Sequence, residues 1–297
     1  MLPGKTIYII VGPTASGKTA HAIALAQQLQ TEIISADSRQ CYREMNIGVA
    51  KPTSEELETI PHFFINNLGV TEEVNAKVFE KSALVFAKKI FEKNDSAVMA
   101  GGTGLYIKAF CEGIDLMPEV EKETREKLRK AYFENGIQWL QEEVQKKDDA
   151  FWQQAEKNNP HRLLRALEIK ETTGISILEF QKKEKVQRAF KIVKIGLELP
   201  MPVLYERINL RVDKMMQQGL LQEVENLLPY RNYPALQTVG YKELFEYLDG
   251  KCTLSEAVEK IKQHTRNYAK RQMTWFKKDQ EIYWQSGDSP IKIQGIK

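Results

Sequence analysis

Lys5–Thr19 reads KTIYIIVGPTASGKT, and its two halves fix how the chain begins. Ile7-Tyr8-Ile9-Ile10-Val11 is an unbroken apolar, largely β-branched run, the pattern of a strand buried on both faces. The chain then turns through Gly12-Pro13-Thr14-Ala15-Ser16-Gly17-Lys18-Thr19 and continues as the Ala-rich helix Ala20–Ala26. Strand, Gly-x-x-x-x-Gly-Lys-Thr and helix in that order meet both the pattern and the context of a P-loop. Glycines let the backbone wrap a polyphosphate, so that successive N–H groups point inward at a helix N-terminus. Lys18 adds a full positive charge, and the Thr19 hydroxyl is placed for Mg²⁺. A pyrophosphate-bearing ligand follows. Its identity stays open, because such a loop reads phosphates and little else.

Working outward, Thr31–Asp37 reads as a second strand ending in an acid, followed by the polar stretch Ser38-Arg39-Gln40-Cys41-Tyr42. His62–Ile65 predicts a further strand, and Val78–Phe91 a helix with Val78, Ala83, Phe86, Ala87 and Ile90 on its apolar side. Ser96–Ala100 is strand-like and runs into a second glycine-rich turn, Gly101-Gly102-Thr103-Gly104. Strands alternating with helices predict an α/β, P-loop NTPase-like, doubly wound parallel sheet, with ligands at the carboxyl ends of its strands.

The pattern changes between Pro118 and Ala189. There 29 of 72 residues are charged and strand-like runs vanish, so this is read as a helical insertion domain. Asn159-Pro160 starts one of its helices, with Asn as N-cap and Pro at the first helical position. Leu163, Leu164 and Leu167 form the apolar side of that helix, and Arg162 and Arg165 share another face. Lys191–Leu199 returns to alternating β character and is expected to rejoin the sheet. A long helix is expected from Met201 to Leu228, a last one over Ser255–Phe276, and a closing strand at Glu281–Trp284. The organisation expected is therefore a core in two parts, 1–117 and 190–297, around an insertion at 118–189.

Composition is that of an ordinary globular chain: 42% hydrophobic, 28% charged, net charge +3. That charge permits a nucleic-acid partner without arguing for one. Cys41, Cys111 and Cys252 are odd in number and far apart, which suits a reducing compartment and excludes a zinc ribbon. With no membrane-length apolar run and a core strand within a few residues of the start, a cytoplasmic protein is expected.

Several side chains have two readings. Asp37 is a magnesium ligand or general base, or else caps the next turn. Gln40 has the paired donor and acceptor that match an adenine edge. Gly101–Gly104 serves phosphate binding or close packing. Arg207 and Arg211, one turn apart, are ligand contacts or solvated charges. His264–Lys278 contains no acid, and Lys262, Arg266 and Lys270 repeat at i,i+4, where like charges repel. An anionic partner should offset that repulsion. Interleaved Tyr268, Trp275 and Phe276 suit RNA, and a solvated basic face over an aromatic core is the alternative.

Together these motifs closely resemble the tRNA dimethylallyltransferases (tRNA isopentenyltransferases). The likeness spans nearly the whole chain: GPTASGKT (Gly12–Thr19), DSRQCY (Asp37–Tyr42), GVAKPT (Gly48–Thr53), GGTGLY (Gly101–Tyr106) and NPHRLLRALE (Asn159–Glu168). It continues through RINLRVDKMMQQGLLQEV (Arg207–Val224), VGYKE (Val239–Glu243) and TRNYAKRQMTWF (Thr265–Phe276). The resemblance implies transfer of a dimethylallyl group from dimethylallyl diphosphate to N6 of the adenosine just 3′ of the anticodon. The P-loop then holds the donor's diphosphate rather than ATP, with Mg²⁺ as cofactor on Thr19. By the same resemblance Asp37 is the base for N6, and Arg211 joins Lys18 and Thr19 at the diphosphate. The implied tRNA contacts are Asp37-Ser38-Arg39-Gln40, Thr103, Arg125, His161-Arg162-Leu163-Leu164-Arg165 and Gln237-Thr238-Val239-Gly240-Tyr241-Lys242. The family commonly has a small or apolar residue where Arg39 stands. Arg266 and Lys270, from the basic segment, are added as clamps for the anticodon stem-loop. The protein is taken as a monomer. A small-molecule P-loop kinase, an RNA-binding NTPase switch and an adenylate prenyltransferase are the competing readings.

Overall fold

The computed structural model describes residues 4–182 and 184–293. Six strands, β1 (Thr6–Val11), β2 (Ile33–Ser35), β3 (His62–Phe63), β4 (Ser96–Ala100), β5 (Lys191–Glu198) and β6 (Ile282–Ser286), form one sheet in the order β3-β2-β4-β1-β5-β6. Every pairing is parallel. β1 lies at the centre, Ile10 opposite Ala100 on one side and Ile195 on the other. Its unbroken apolar run follows from that position: Ile7, Ile9, Ile10 and Val11 are fully buried. Because the chain builds outward from both sides of β1, the P-loop leaves the sheet at a topological switch point.

Four helices accompany the first half: α1 (Lys18–Gln28), α2 (Ser54–Thr59), α3 (Ala76–Phe91) and α4 (Gly104–Glu112). α1 buries Ala22, Leu25 and Ala26 against Ile10, Ile33, Val98 and Leu197. α3 begins at an Asn75 cap and turns Ala76, Phe79, Ala83, Ala87 and Ile90 inward. Val78, expected on the apolar side, is exposed. Phe79 stacks on Tyr106 of α4, their ring centroids 4.6 Å apart.

The middle of the chain is helical: α5 (Lys122–Lys147), α6 (Asp149–Trp152), α7 (Pro160–Thr173) and α8 (Ile177–Phe180). They form a separate compact unit, Gly113–Lys185, around Leu128, Leu140, Val144, Trp152, Leu163 and Leu167. Gly136, at φ 75°, breaks α5. α7 starts as expected, the Asn159 side chain accepting the Arg162 N–H at 3.3 Å with Pro160 following. The unit's edges differ slightly from 118 and 189. Residues from Val186 onward belong with the sheet because Val186 donates to the Glu112 carbonyl and Arg188 donates to the Phe110 and Ala109 carbonyls and to Glu80.

The last part carries α9 (Met201–Gln217), α10 (Leu220–Asn226), α11 (Tyr241–Leu248) and α12 (Leu254–Phe276). The single helix expected over 201–228 is therefore two, with a 3₁₀ turn at Leu228–Tyr230. Gly219, at φ 98°, takes the left-handed conformation that ends one helix and starts the next. β5 is an inner strand buried on both faces rather than an alternating one. Its buried Lys194 is neutralised by Asp279 at 2.7 Å and Glu281 at 2.8 Å.

Candidate active site

The P-loop is shaped by what surrounds it. A Cβ on Gly12 would lie 2.7 Å from the Leu197 carbonyl oxygen, so only glycine lets the loop pass this close to β5. Gly17, at φ 88°, leads into α1. Ser16 is fully buried, and its hydroxyl has no partner among the described residues. Lys18 curls back to donate to the Pro13 carbonyl at 2.6 Å. Arg211 reaches across from α9 to the Thr14 hydroxyl at 3.3 Å. Burial, with the Arg211 charge adding to it, lowers the pKa of Lys18 to about 7, while Asp37 opposes the shift. Arg211 is lowered too, by burial, and Asp37 again opposes.

The second glycine turn exists for close packing. A Cβ on Gly101 would meet the Ala36 carbonyl at 2.1 Å, one on Gly102 the Gln272 amide at 2.2 Å, and one on Gly104 the Trp275 indole at 2.2 Å. The turn thereby brings Thr103 to the end of β2, where its hydroxyl accepts the Ser38 N–H at 3.0 Å. Asp37 does cap its own turn: Oδ1 accepts from Arg39 N at 2.8 Å and Gln40 N at 3.2 Å. Its Oδ2 accepts no hydrogen bond among the described residues, and the side chain borders the cavity. The Gln40 amide is engaged within the protein, accepting from Ser35 Oγ at 3.0 Å and donating to the Ala50 carbonyl at 3.0 Å.

A cavity of about 650 Å³ joins these pieces. Thr14, Ala15, Gly17, Lys18, Thr19 and Arg211 form its cationic side, and Asp37, Ser38, Arg39 and Gln40 another. Arg207 also borders it while paired with Asp288 at 2.5 Å. Thr238, Val239 and Gly240 line it, but Gln237 and Lys242 are exposed and the Tyr241 ring is fully buried, which removes it as a surface contact. From α12 the cavity receives Ile261, Thr265, Tyr268 and Gln272, the helix face beside the basic repeat. The repeat itself faces α9. Lys262 pairs with Asp213 at 2.8 Å and Glu259 at 2.9 Å, Arg266 donates to Asn209 at 2.7 Å, and Lys270 lies 5.6 Å from the Tyr205 ring centroid. The anionic partner expected for the repeat is thus supplied in part by the protein's own carboxylates.

Gln272 escaped the sequence reading. Its Oε1 accepts the Thr14 N–H at 2.8 Å and its Nε2 donates to the Gly102 carbonyl at 2.9 Å, tying the P-loop to the second glycine turn. Nothing local marks it out, since the partners lie 258 and 170 residues away.

In the helical unit, Arg125 and Arg165 converge on the buried carboxylate of Glu168, at 3.9 and 3.3 Å. His161 and Arg162 are exposed. Leu163 and Leu164 point into that unit's core, so the contact expected of His161–Arg165 falls to His161, Arg162 and Arg165.

The sequence model of the IPP transferase family matches residues 40–279. The chain belongs to this family. A tRNA dimethylallyltransferase of Christiangramia forsetii is 46% identical over 283 residues, covering 95% of this chain and 94% of its own. The full-length tRNA isopentenylpyrophosphate transferase of Bacillus halodurans superposes with a TM-score of 0.71 at 35% identity, over 97% of this chain and 92% of that one. A eukaryotic dimethylallyltransferase acting on tRNA gives 0.79 at 26% identity, over 95% and 74%. Family membership carries the P-loop NTPase-like fold with it, in agreement with the all-parallel sheet described above.

Two expectations follow from this geometry. Gln272→Leu leaves the Thr14 N–H and the Gly102 carbonyl unpaired, at about 1–3 kcal/mol each. It should weaken inorganic diphosphate binding and lower the urea midpoint together. Binding that persists unchanged would show that the tie does not shape the loop. Because free Lys18 titrates near pH 7, an anion that requires its charge must draw a proton onto it above that pH. Diphosphate affinity should then fall by up to about tenfold per pH unit above neutrality. Calorimetry at pH 8 in buffers of different ionisation enthalpy should register net proton uptake that Lys18→Met removes.

Proposed function

We propose that the chain transfers a dimethylallyl group from dimethylallyl diphosphate to N6 of the adenosine 3′-adjacent to the anticodon in tRNA, releasing diphosphate. The observation that carries this reading is the single cavity holding three features at once. It has a phosphate-binding loop with two half-buried, desolvated cations, a carboxylate with one oxygen to spare, and an apolar side formed by Ile208, Val212, Met215, Leu220 and Ile261. A five-carbon hydrocarbon suits that apolar side, where a nucleotide's ribose does not.

In the reaction the carbon–oxygen bond to diphosphate breaks and a bond forms from that carbon to N6. An exocyclic adenine amine is a poor nucleophile, since its lone pair is delocalised into the ring. Asp37 accepts the N6 proton on Oδ2 while the Arg39 and Gln40 N–H groups hold Oδ1 and fix the carboxylate's orientation. Lys18, Arg211 and the loop N–H groups stabilise the negative charge that develops on the departing diphosphate.

A magnesium ion fits the same place. Among the described residues no cluster of three or more His, Cys, Asp or Glu side chains exists to cage a metal, but Mg²⁺ binds through one or two protein oxygens, waters and substrate phosphates. Thr19 would supply that protein oxygen, and the ion when bound would help neutralise the leaving group. For the tRNA, Arg125 and Arg165 supply a held pair of guanidinium groups beside exposed His161 and Arg162. A tRNA substrate supports the reading that the protein works in the cytoplasm. Among the described residues no helix is long and apolar enough to cross a membrane.

The test is to incubate the protein with Mg²⁺, bulk tRNA and dimethylallyl diphosphate and analyse the digested nucleosides by mass spectrometry. N6-isopentenyladenosine should form without ATP. Robust tRNA-stimulated ATP hydrolysis with no new nucleoside would overturn the reading. Asp37→Asn should slow the single-turnover rate by about 10²–10⁴-fold and leave donor Kd unchanged. Recovery of that variant's rate by excess Mg²⁺, with weakened donor binding, would instead make Asp37 a metal ligand.

A further inference from the structure

Three consecutive backbone N–H groups converge on one carboxylate outside the phosphate site. Glu223 of α10 accepts from Asn46 at 2.9 Å and Ile47 at 2.8 Å through Oε2, and from Gly48 at 3.0 Å through Oε1. The same Oε1 accepts the Tyr241 hydroxyl at 2.6 Å. Burial, reinforced by the Glu223 charge, raises the Tyr241 pKa far above the ordinary phenol range, so the hydroxyl stays a donor. Gly48 lies flat on that ring: a Cβ there would come within 2.6 Å of it. On the other side, Lys51 holds the same loop through the Asn46 side chain at 3.0 Å and Asn66 at 2.5 Å.

The two segments locked by Glu223 are both walls of the cavity. Gly48-Val49-Ala50 and Thr238-Val239-Gly240 line it, and all six are uncharged. The first segment is also tied to the Asp37 turn, because Gln40 donates to the Ala50 carbonyl. A continuous chain of bonds thus runs from the base turn through Gln40, Ala50, Gly48 and Glu223 to Tyr241. The first segment is a run of turns with no helix or strand. The second is fixed as the start of α11, where Gly240 donates to Glu243 at 2.7 Å and Lys242 to the Thr238 carbonyl at 3.2 Å, so the Glu223–Tyr241 bond fastens an irregular wall to a firm one. An uncharged wall attached to the proton acceptor suits a nucleobase and not a diphosphate.

We infer that Glu223 is a positioning residue for the acceptor base: it joins the 46–50 and 238–241 segments into one rigid jaw that holds the adenine toward Asp37. The inference rests on the prenyl-transfer reading. It separates Glu223 from the phosphate site, to which it makes no contact.

The test compares wild type, Glu223→Gln and Tyr241→Phe. Glutamine can turn its one accepting oxygen toward Asn46 and Ile47 or toward Gly48 and Tyr241, not both, so an NH2 faces a donor, and phenylalanine deletes one bond of the four. Glu223→Gln should raise the apparent KM for tRNA by about 10–100-fold and Tyr241→Phe by a few-fold, in line with the loss of hydrogen bonds to a charged group. Donor Kd, measured by calorimetry with dimethylallyl diphosphate, should stay within about twofold, and turnover at saturating tRNA should change far less than KM. An unchanged tRNA KM in either folded variant, or equal losses of donor and acceptor binding, would overturn the assignment. Tyr241→Phe decides it if Glu223→Gln does not fold. Wild type with no isopentenyladenosine product would refute the prenyl-transfer reading instead, and direct tRNA binding by the variants would still test the jaw.

Discussion

Two half-buried cations facing one cleft set the terms for the rest of the site. Lys18 sits at the end of the central strand, at the N-terminus of α1, and Arg211 is brought beside it by α9. Desolvation and mutual repulsion make this arrangement unfavourable alone, and the lowered proton affinity of Lys18 is the measure of it. Asp37 counters both charges, yet its Oδ1 is bound into a turn. A multiply charged anion relieves the strain more fully than any side chain present. On the proposed reading the fold stores part of its stability as affinity for the donor's diphosphate, with the loop's N–H groups sharing in it.

The same constraint explains the supports behind the site. Cations placed for a ligand must not collapse onto the nearest carbonyl, and Lys18 already reaches Pro13. Gln272 fixes the peptide beside that carbonyl by accepting the Thr14 N–H from α12. Asp37, likewise, must sit close to the cations without forming a direct ion pair that would consume its basicity. The Arg39 and Gln40 N–H groups hold it back, and Thr103 pins the following residue. Each restraint comes from a different element.

That division decides how much was legible in the sequence. The helix Lys18–Gln28 and the Asn159-Pro160 helix start were readable because their hydrogen bonds close within a few residues, and β1 because burial on both faces is written as an unbroken apolar run although its partners are distant. The second glycine turn could be read in two ways, and only the approach of Ala36, Gln272 and Trp275 shows that packing dictates it. Gln272 and Glu223 were invisible for the converse reason. Their partners are 170 to 258 and 175 to 177 residues away, beyond any periodicity. Gly219 misled for a different reason: a lone glycine within an apolar-periodic run is compatible with a continuous helix until its φ is known.

The helical unit solves a related problem with the opposite sign. Arg125 on α5 and Arg165 on α7 would repel if left to themselves, and long side chains at a surface lose much entropy when a ligand immobilises them. Glu168, only 5% exposed and one turn beyond Arg165, draws both guanidinium groups toward itself. A buried carboxylate is costly unless paired, so the pairing is enforced from its side. Glu168 thereby fixes the direction of both guanidinium groups in advance. Affinity for a polyanion then comes at a smaller ordering cost, the gain that preorganisation confers. Where the phosphate loop concentrates charge in a cleft that only a small anion enters, this unit presents restrained charge at a half-exposed surface, where an extended backbone of phosphates can meet it.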